Sequence, residues 1–232
     1  MTSFKQNVER YIRVHKELTG LSFSRDGVAK DLFNSFGYNV KFSLQEIDRQ
    51  TTIEYGLFLG RCQPFTNGHN AIVQDIIRDG KTPIIILGSI NIQNEKNPLT
   101  FKERKALIEL VYSSKVVTVV GLDDEDSWDA WYNSVKAKMV ELNVTKEQLT
   151  LYSHCKENDN KDFEYNGKEY KNESYTKMFE ENGVKIKNLD EVVCELGETI
   201  HASDVRADEE IAKRNLDARI YIELKNTYGW WA

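Results

Sequence analysis

The sequence predicts an α/β fold, a parallel sheet with helices on both faces, behind a small helical N-terminal extension. Three observations lead there. Short apolar runs of strand length alternate with segments in which apolar residues recur at helical spacing, the signature of strands joined by crossover helices. The runs are apolar at consecutive positions, as in Ile84-Ile85-Ile86-Leu87, which suits strands buried on both faces. Glycine ends the first two runs, at Gly60 and Gly88, so the chain can turn sharply where ligands bind in such sheets, beyond the carboxyl ends of the strands.

Residues 1–52 read as the extension. Phe4, Val8, Tyr11, Ile12 and Leu18 recur at helical spacing up to Gly20, and Val28, Leu32, Phe33 and Phe36 form a second apolar face ending at Gly37. Both stripes need a covering surface, the main domain or another chain, which leaves a homo-oligomer open. Residues 53–232 read as the main domain. A buried strand over Ile53–Leu59 precedes a helix over Asn67–Arg78, with Ile72, Val73, Ile76 and Ile77 turned inward. Pro83–Leu87 is a second strand, and Thr100 with Glu103 forms a capping box opening a helix to Tyr112. Val116–Val120 is a third strand, Trp128–Leu142 a helix and Leu149–Ser153 a fourth strand. Lys156–Lys171 is polar and charged, a surface excursion with a hairpin turn at Asn166-Gly167. Helix returns over Ser174–Glu181 and strand over Val184–Ile186. A helical tail from Ser203 turns Ile211, Leu216, Ile220 and Leu224 inward.

Composition narrows the function. The chain has 232 residues, 40% of them apolar and only 3 proline, an ordinary globular balance. A formal net charge of -6 argues against wrapping a nucleic-acid backbone, which needs a basic face. The 3 cysteines, Cys62, Cys155 and Cys194, are widely spaced, so neither a zinc site nor a disulfide framework is expected and a reducing cytoplasm is the default. The stretch Met1–Leu18 carries charges throughout, unlike a signal peptide, and no run is long enough to span a bilayer.

Chemistry concentrates after the first two strands. Gly60-Arg61-Cys62-Gln63-Pro64-Phe65-Thr66-Asn67-Gly68-His69 joins strand to helix. Gly60 lets the backbone turn, and Gly68 admits a ligand close to the first helical turn. Thr66 and His69, three apart at that turn, can face one anion, which free N–H groups and the helix dipole already favour. Arg61 adds a fork of donors. After the second strand come Gly88 and Ser89, then Lys96-Asn97-Pro98-Leu99-Thr100-Phe101-Lys102-Glu103-Arg104. Lys96, Lys102, Arg104 and Lys105 make a local positive cluster suited to a triphosphate; Lys102 and Lys105 read as a solvated face. Asp123–Asp126 reads as a solvated acidic cap before a helix that carries Trp128 and Trp131, neighbours on its surface. Ser203 is a candidate N-cap with Arg206 in the first turn behind it.

GRCQPFTNGH resembles the GRFQPxHxGH signature of nicotinamide-mononucleotide adenylyltransferases, of the archaeal type and of bacterial forms fused to Nudix domains. Gly88–Arg104 is similar to their GSA…KNPxTxxER segment, and Thr199–Arg206 to their ISxTxIR motif, with Ser203 at the threonine and Arg206 at the arginine. Cys62 stands where an apolar or aromatic residue is usual, Thr66 where the first histidine is usual, and His201 where a serine is usual. Tyr152–Lys156 with Asn172–Tyr175 is similar to a GHSKDESSYY stretch split by the polar insertion. The resemblance covers roughly Glu54 to Thr227.

It implies a doubly wound, Rossmann-like nucleotidyltransferase fold and transfer of the adenylyl group of ATP to nicotinamide mononucleotide (NMN), giving NAD and pyrophosphate by direct in-line attack. His69 and Thr66 would contact the α-phosphate. Gly60, Arg61, Gly68, Lys96, Arg104, Ser203 and Arg206 would serve the triphosphate. Trp131 would stack on the nicotinamide ring, with Trp128 as its substitute, and Gly88 and Ser89 would line the cleft. Mg2+ would bridge phosphate oxygens, so no residue is assigned as a metal ligand. Thr66 also looks like the TxGH of pantetheine-phosphate adenylyltransferases. A transferase of that type or of the cytidylyltransferase type therefore stays open, as does a non-catalytic NAD or nucleotide sensor.

Overall fold

The computed structural model describes residues 53–154, 162–170, 175–189 and 201–231. The two expected N-terminal helices of residues 1–52 lie outside the described residues. So do Cys155, Lys156 and residues 172–174 of the split motif.

The element order is β1 (Tyr55–Gly60), α1 (Asn67–Arg78), β2 (Thr82–Leu87), α2 (Phe101–Val111), β3 (Thr118–Gly121) and α3 (Trp128–Glu141). A short 3-10 turn (Lys146–Gln148) then leads to β4 (Leu149–His154), the pair β5 (Phe163–Tyr165) and β6 (Lys168–Tyr170), α4 (Thr176–Glu181) and β7 (Lys185–Leu189). Three helices follow: α5 (Ala202–Ala207), α6 (Glu209–Asn215) and α7 (Ala218–Asn226). Strands β3-β2-β1-β4-β7 form a 5-stranded sheet, parallel throughout. The order reverses direction between β1 and β4, so the expected doubly wound topology is the observed one.

The pleat sorts each strand into two cores. Phe58, Ile85, Leu87 and Tyr152 meet Ile72, Val73 and Ile76 of α1, Leu107 and Ile108 of α2, and Ile220 and Leu224 of α7. Leu57, Ile84, Ile86 and Leu151 face the other way, onto Tyr132, Val135 and Met139 of α3 and Met178 and Phe179 of α4. Each such side chain contributes about 1.5–3 kcal/mol on full burial, against about 0–1 kcal/mol for an exposed ion pair such as Lys138–Glu141. The two cores therefore outweigh the surface charges in holding the sheet.

Local signals place most helix starts. Thr100 caps α2, its hydroxyl accepting the Glu103 N–H at 3.4 Å while the Glu103 carboxylate accepts the Thr100 N–H at 2.7 Å. Ser127 caps α3 through the Ala130 N–H. The hairpin turns where expected, with Asn166 at φ 51 and Gly167 at φ 69. It is not merely a solvated excursion, because Phe163, Tyr165 and Tyr170 are buried.

The tail differs from the expected helix. It breaks at Asp208 and Asp217, whose carboxylates accept the N–H groups of Glu210 and Ile211, and of Arg219, and so restart the chain as new helices. Ser203 is not the N-cap: the cap lies two residues earlier, at His201 in extended conformation, and α5 begins at Ala202.

Gly56 marks the tightest approach of helix to sheet. A Cβ there would lie 2.3 Å from Cγ2 of Ile76 on α1. Gly56→Ala should therefore lower unfolding free energy by about 1–3 kcal/mol, the range for overpacking a filled core. A fall in the urea midpoint at constant m-value would show it.

Candidate active site

The loop after β1 is built from its own polar side chains. The Gln63 amide donates to the Leu99 carbonyl and accepts the Leu99 N–H, both at 2.9 Å, so it works as a strand-like bridge to the segment before α2. Arg104 sits below. Its Nη1 donates to the carbonyls of Arg61 and Gly88 at 2.8 Å each, its Nη2 to Ser89 at 3.5 Å and its Nε to Thr100 at 3.4 Å. With 1% of its surface exposed, Arg104 is among the largest fully buried side chains. Burial pulls its pKa below the ordinary value, and nearby Asp124 opposes that. The expectation that Arg104 meets phosphate is corrected here: its donors hold main-chain carbonyls, and no side of it faces solvent. Cys62, in the left-handed region at φ 48, is buried beside it. Burial pushes its thiol up to about 12, although Arg104 pulls the other way.

His69 occupies the third position of α1. Its Nδ1 accepts the Thr66 N–H at 2.9 Å. A main-chain N–H can only donate, so in the neutral ring the proton resides on Nε2. Phe65 stacks on the ring at 5.8 Å and Phe58 tilts against it at 5.7 Å. Thr66 is buried at 3%, its hydroxyl 3.0 Å from the same Nδ1. Thr66 therefore positions His69; it is not the exposed phosphate contact expected of it. Gly68 lies half-buried in the same turn.

Helix α5 converges on this loop. Arg206 donates through Nη1 to the Gln63 carbonyl at 2.6 Å, and Asn67 reaches the Arg214 carbonyl at 3.3 Å. Burial lowers the Arg206 pKa; the like charge of Arg61 adds to this, while Asp204 and Glu95 oppose it. Two guanidinium groups that repel one another, with a histidine in the same loop, form a site that favours an anion. The turn Asn94–Asn97 carries exposed Lys96, and the Gln63–Leu99 bridge ties the residues that follow it to the same loop. Ser203 is exposed, its hydroxyl 3.3 Å from Asp204.

On the other side of Arg61 a cavity of 660 Å³ opens at the carboxyl ends of β1, β2 and β3. Gly60, Arg61, Gly88 and Ser89 form its floor, and Trp128, Trp131 and Tyr175 its aromatic wall. A Cβ on Gly88 would meet nothing within 4 Å, so that backbone faces open space. Thr66, Gly68, His69, Lys96, Ser203 and Arg206 do not line the cavity; Gly60 and Arg61 join it to their loop.

The acidic run proves to be more than a solvated cap. Asp124, Glu125 and Asp126 line the cavity. Asp124 accepts the Ser89 hydroxyl at 2.9 Å, which holds Ser89 at φ 53. Sequence reasoning missed these three and Tyr175. The rule that pointed to Gly60 and Gly88 applies equally after β3 and would have found the acidic run; Tyr175 ends the second half of the split motif, which carried no role assignment for it.

A family model described as cytidylyltransferase-like matches residues 57–208. The nicotinamide/nicotinic acid mononucleotide adenylyltransferase of Acinetobacter baylyi is 24% identical over 188 residues, 75% of this chain and 93% of that protein. The nicotinamide-nucleotide adenylyltransferase of Methanocorpusculum labreanum is 32% identical over 85 residues, 35% of this chain and 51% of that protein. A bifunctional NMN adenylyltransferase/ADP ribose pyrophosphatase from Francisella tularensis superposes with a TM-score of 0.54 at 20% identity, covering 76% of this chain and 54% of that one. A second structure of the Francisella protein holds AMP and a manganese ion. The chain thus spans about half the length of the Methanocorpusculum and Francisella proteins. No helix among the described residues is long and apolar enough to cross a membrane.

Two outcomes follow from the buried pair. Arg104→Lys, with one nitrogen where three donate, should cost about 2–4 kcal/mol by leaving one or two buried carbonyls unpaired, read by urea unfolding. Cys62 should resist iodoacetamide at pH 8 in the folded protein and react on unfolding, mapped by mass spectrometry of its peptide. The match runs unbroken from the first buried strand through the helix that carries Arg206, and the chain belongs to the cytidylyltransferase-like family.

Proposed function

We propose that the chain transfers the adenylyl group of ATP to NMN, giving NAD and pyrophosphate. The observation that carries this reading is the division of charge around Arg61. On one side lie Arg61, the His69 of α1 and the Arg206 of α5, with two guanidinium charges; on the other, the cavity ends in Trp128, Trp131 and three carboxylates. NMN divides the same way, with an anionic phosphate at one end and a cationic pyridinium ring at the other. A cation on an aromatic face beside carboxylates is stabilised from both. The names of the Acinetobacter and Methanocorpusculum relatives support the same choice.

In this reading the NMN phosphate oxygen attacks the α-phosphorus of ATP in line. The bond from that phosphorus to the bridging β-oxygen breaks, and pyrophosphate leaves with the electron pair. No covalent enzyme intermediate forms. The protein supplies position and charge. His69 donates from Nε2–H to the α-phosphate, where negative charge grows, and Thr66 orients the ring. Arg206, Arg61, Ser203 and Lys96 serve the β- and γ-oxygens, with Gly60 and Gly68 admitting the phosphates close to the backbone. Trp131 stacks on the pyridinium, and Gly88 and Ser89 line its approach. ATP arrives with Mg2+, a hard ion that takes phosphate and water oxygens. Among the described residues no group of three or more His, Cys, Asp or Glu could hold it. Residues 53–232 would then be the nucleotidyltransferase domain and residues 1–52 an extension to it.

The test is product formation by the purified chain from NMN with ATP or CTP, and from phosphopantetheine with ATP. NAD made from NMN and ATP alone supports the reading. Nucleotide binding without turnover would instead make the chain a sensor. His69→Asn keeps an acceptor for the Thr66 N–H but loses the Nε2 donor. It should lower kcat by about 100- to 1,000-fold with an unchanged circular dichroism spectrum. Undiminished turnover would remove His69 from the reaction.

A further inference from the structure

We propose that the β5–β6 hairpin is a specificity element of the acceptor pocket, with Phe163 and Asn166 as positioning residues for Trp128. The identity of the acceptor rests on the reading above; the brace itself rests on the following geometry.

Trp128 opens α3 at the lip of the cavity and is 36% exposed. A large ring so placed has several rotamers open to it unless something restrains it. Its edge contact with Trp131, at 5.5 Å and 77°, covers one side. Phe163 of β5 covers another at 4.8 Å. Phe163 is itself immobilised, stacked on Tyr170 of β6 at 5.0 Å and 8°. At the hairpin tip the Asn166 N–H donates to both carboxylate oxygens of Asp129, at 3.3 and 3.2 Å, so the hairpin grips the residue after Trp128 as well.

The same hairpin also holds the segment of Tyr175, whose ring meets Trp131 edge-on at 6.2 Å in the same wall. The Tyr170 hydroxyl donates to Glu181 at 2.7 Å, and the Asn182 amide donates to the Tyr165 hydroxyl at 2.8 Å. Both bonds fasten the hairpin to α4, which begins immediately after Tyr175. One inserted element thus ties together the two segments, α3 and the start of α4, that carry the aromatic wall. The residues assigned above to the phosphates, His69, Lys96, Ser203 and Arg206, are not part of this cavity's lining. A brace of this kind changes affinity for the acceptor ring and leaves triphosphate binding and the chemical step alone.

The experiment is steady-state kinetics of the full chain with NMN and ATP for Phe163→Leu and Asp129→Ala, the second serving should the first not fold. Loss of one aromatic pair is worth about a two- to tenfold change in an equilibrium constant. We expect the NMN KM to rise by that factor in each variant, with kcat and the ATP KM within about twofold, and Phe163→Tyr to restore the NMN KM. In a Trp128→Phe background the effect of Phe163→Leu should vanish. Equal movement of both KM values, or an undiminished effect in that background, overturns the proposal. Acrylamide quenching of the Trp128 emission, taken by difference against Trp128→Phe, needs no turnover and should rise in Phe163→Leu. If NAD never forms, the reaction assignment falls while this readout still tests the brace; unchanged quenching overturns it.

Discussion

Everything at the carboxyl end of the sheet depends on one buried cation. Past the ends of β1 and β2, at Arg61 and Gly88, the chain leaves the sheet and its carbonyls must find partners other than a neighbouring strand. Arg104 resolves this by holding the carbonyls of Arg61, Gly88, Ser89 and Thr100 with one guanidinium. A planar group with five fixed donors can join several chain segments at once, which a lysine cannot. The charge is expensive to bury, and its hydrogen bonds offset that cost. The Gln63–Leu99 amide bridge repeats the device beside it, so the loop after β1 and the start of α2 move as one body.

This scaffold separates two electrostatic environments that lie close together. On one side, His69 and Arg206 are held by main-chain contacts to the same loop, Nδ1 to the Thr66 N–H and Nη1 to the Gln63 carbonyl. On the other, carboxylates rim an aromatic wall. Arg61 stands at the boundary. The alternating layers of the sheet supply the rigidity: the side chains that fix α1 on one face and α3 on the other come from neighbouring residues of the same strands, Phe58 and Leu57 among them. The loop of Phe65 and the wall of Trp131 are therefore anchored on opposite faces of β1.

What was legible in the residues was what near neighbours encode. The five strands, the capping box at Thr100, the Asn166-Gly167 turn and the start of α3 follow from turn chemistry, side-chain period and local hydrogen bonds. The family resemblance pointed to both convergent motifs. Three readings failed, and in the first of them a distant partner decides. Arg104 reads as a phosphate ligand because a charged residue in a polar segment is normally exposed; its burial depends on carbonyls brought in from β1 and β2. Thr66 reads as a ligand contact until its hydroxyl is found behind the histidine ring. The tail reads as continuous helix because Asp208 and Asp217 have the same composition inside a helix as at its start.

The sequence by itself determined the alternation of strand and helix, the sharp turns after Gly60 and Gly88, and the order of motifs along the chain, because these are written in residues a few positions apart. Only the tertiary structure decided which cation is buried among main-chain carbonyls and which stay at the surface. It alone set the acidic run on the wall of a cavity and brought Tyr175 and the hairpin to tryptophans far earlier in the chain. The physical reason is that the fate of a polar group depends on whether it keeps its water, and that is settled by which distant segment closes over it.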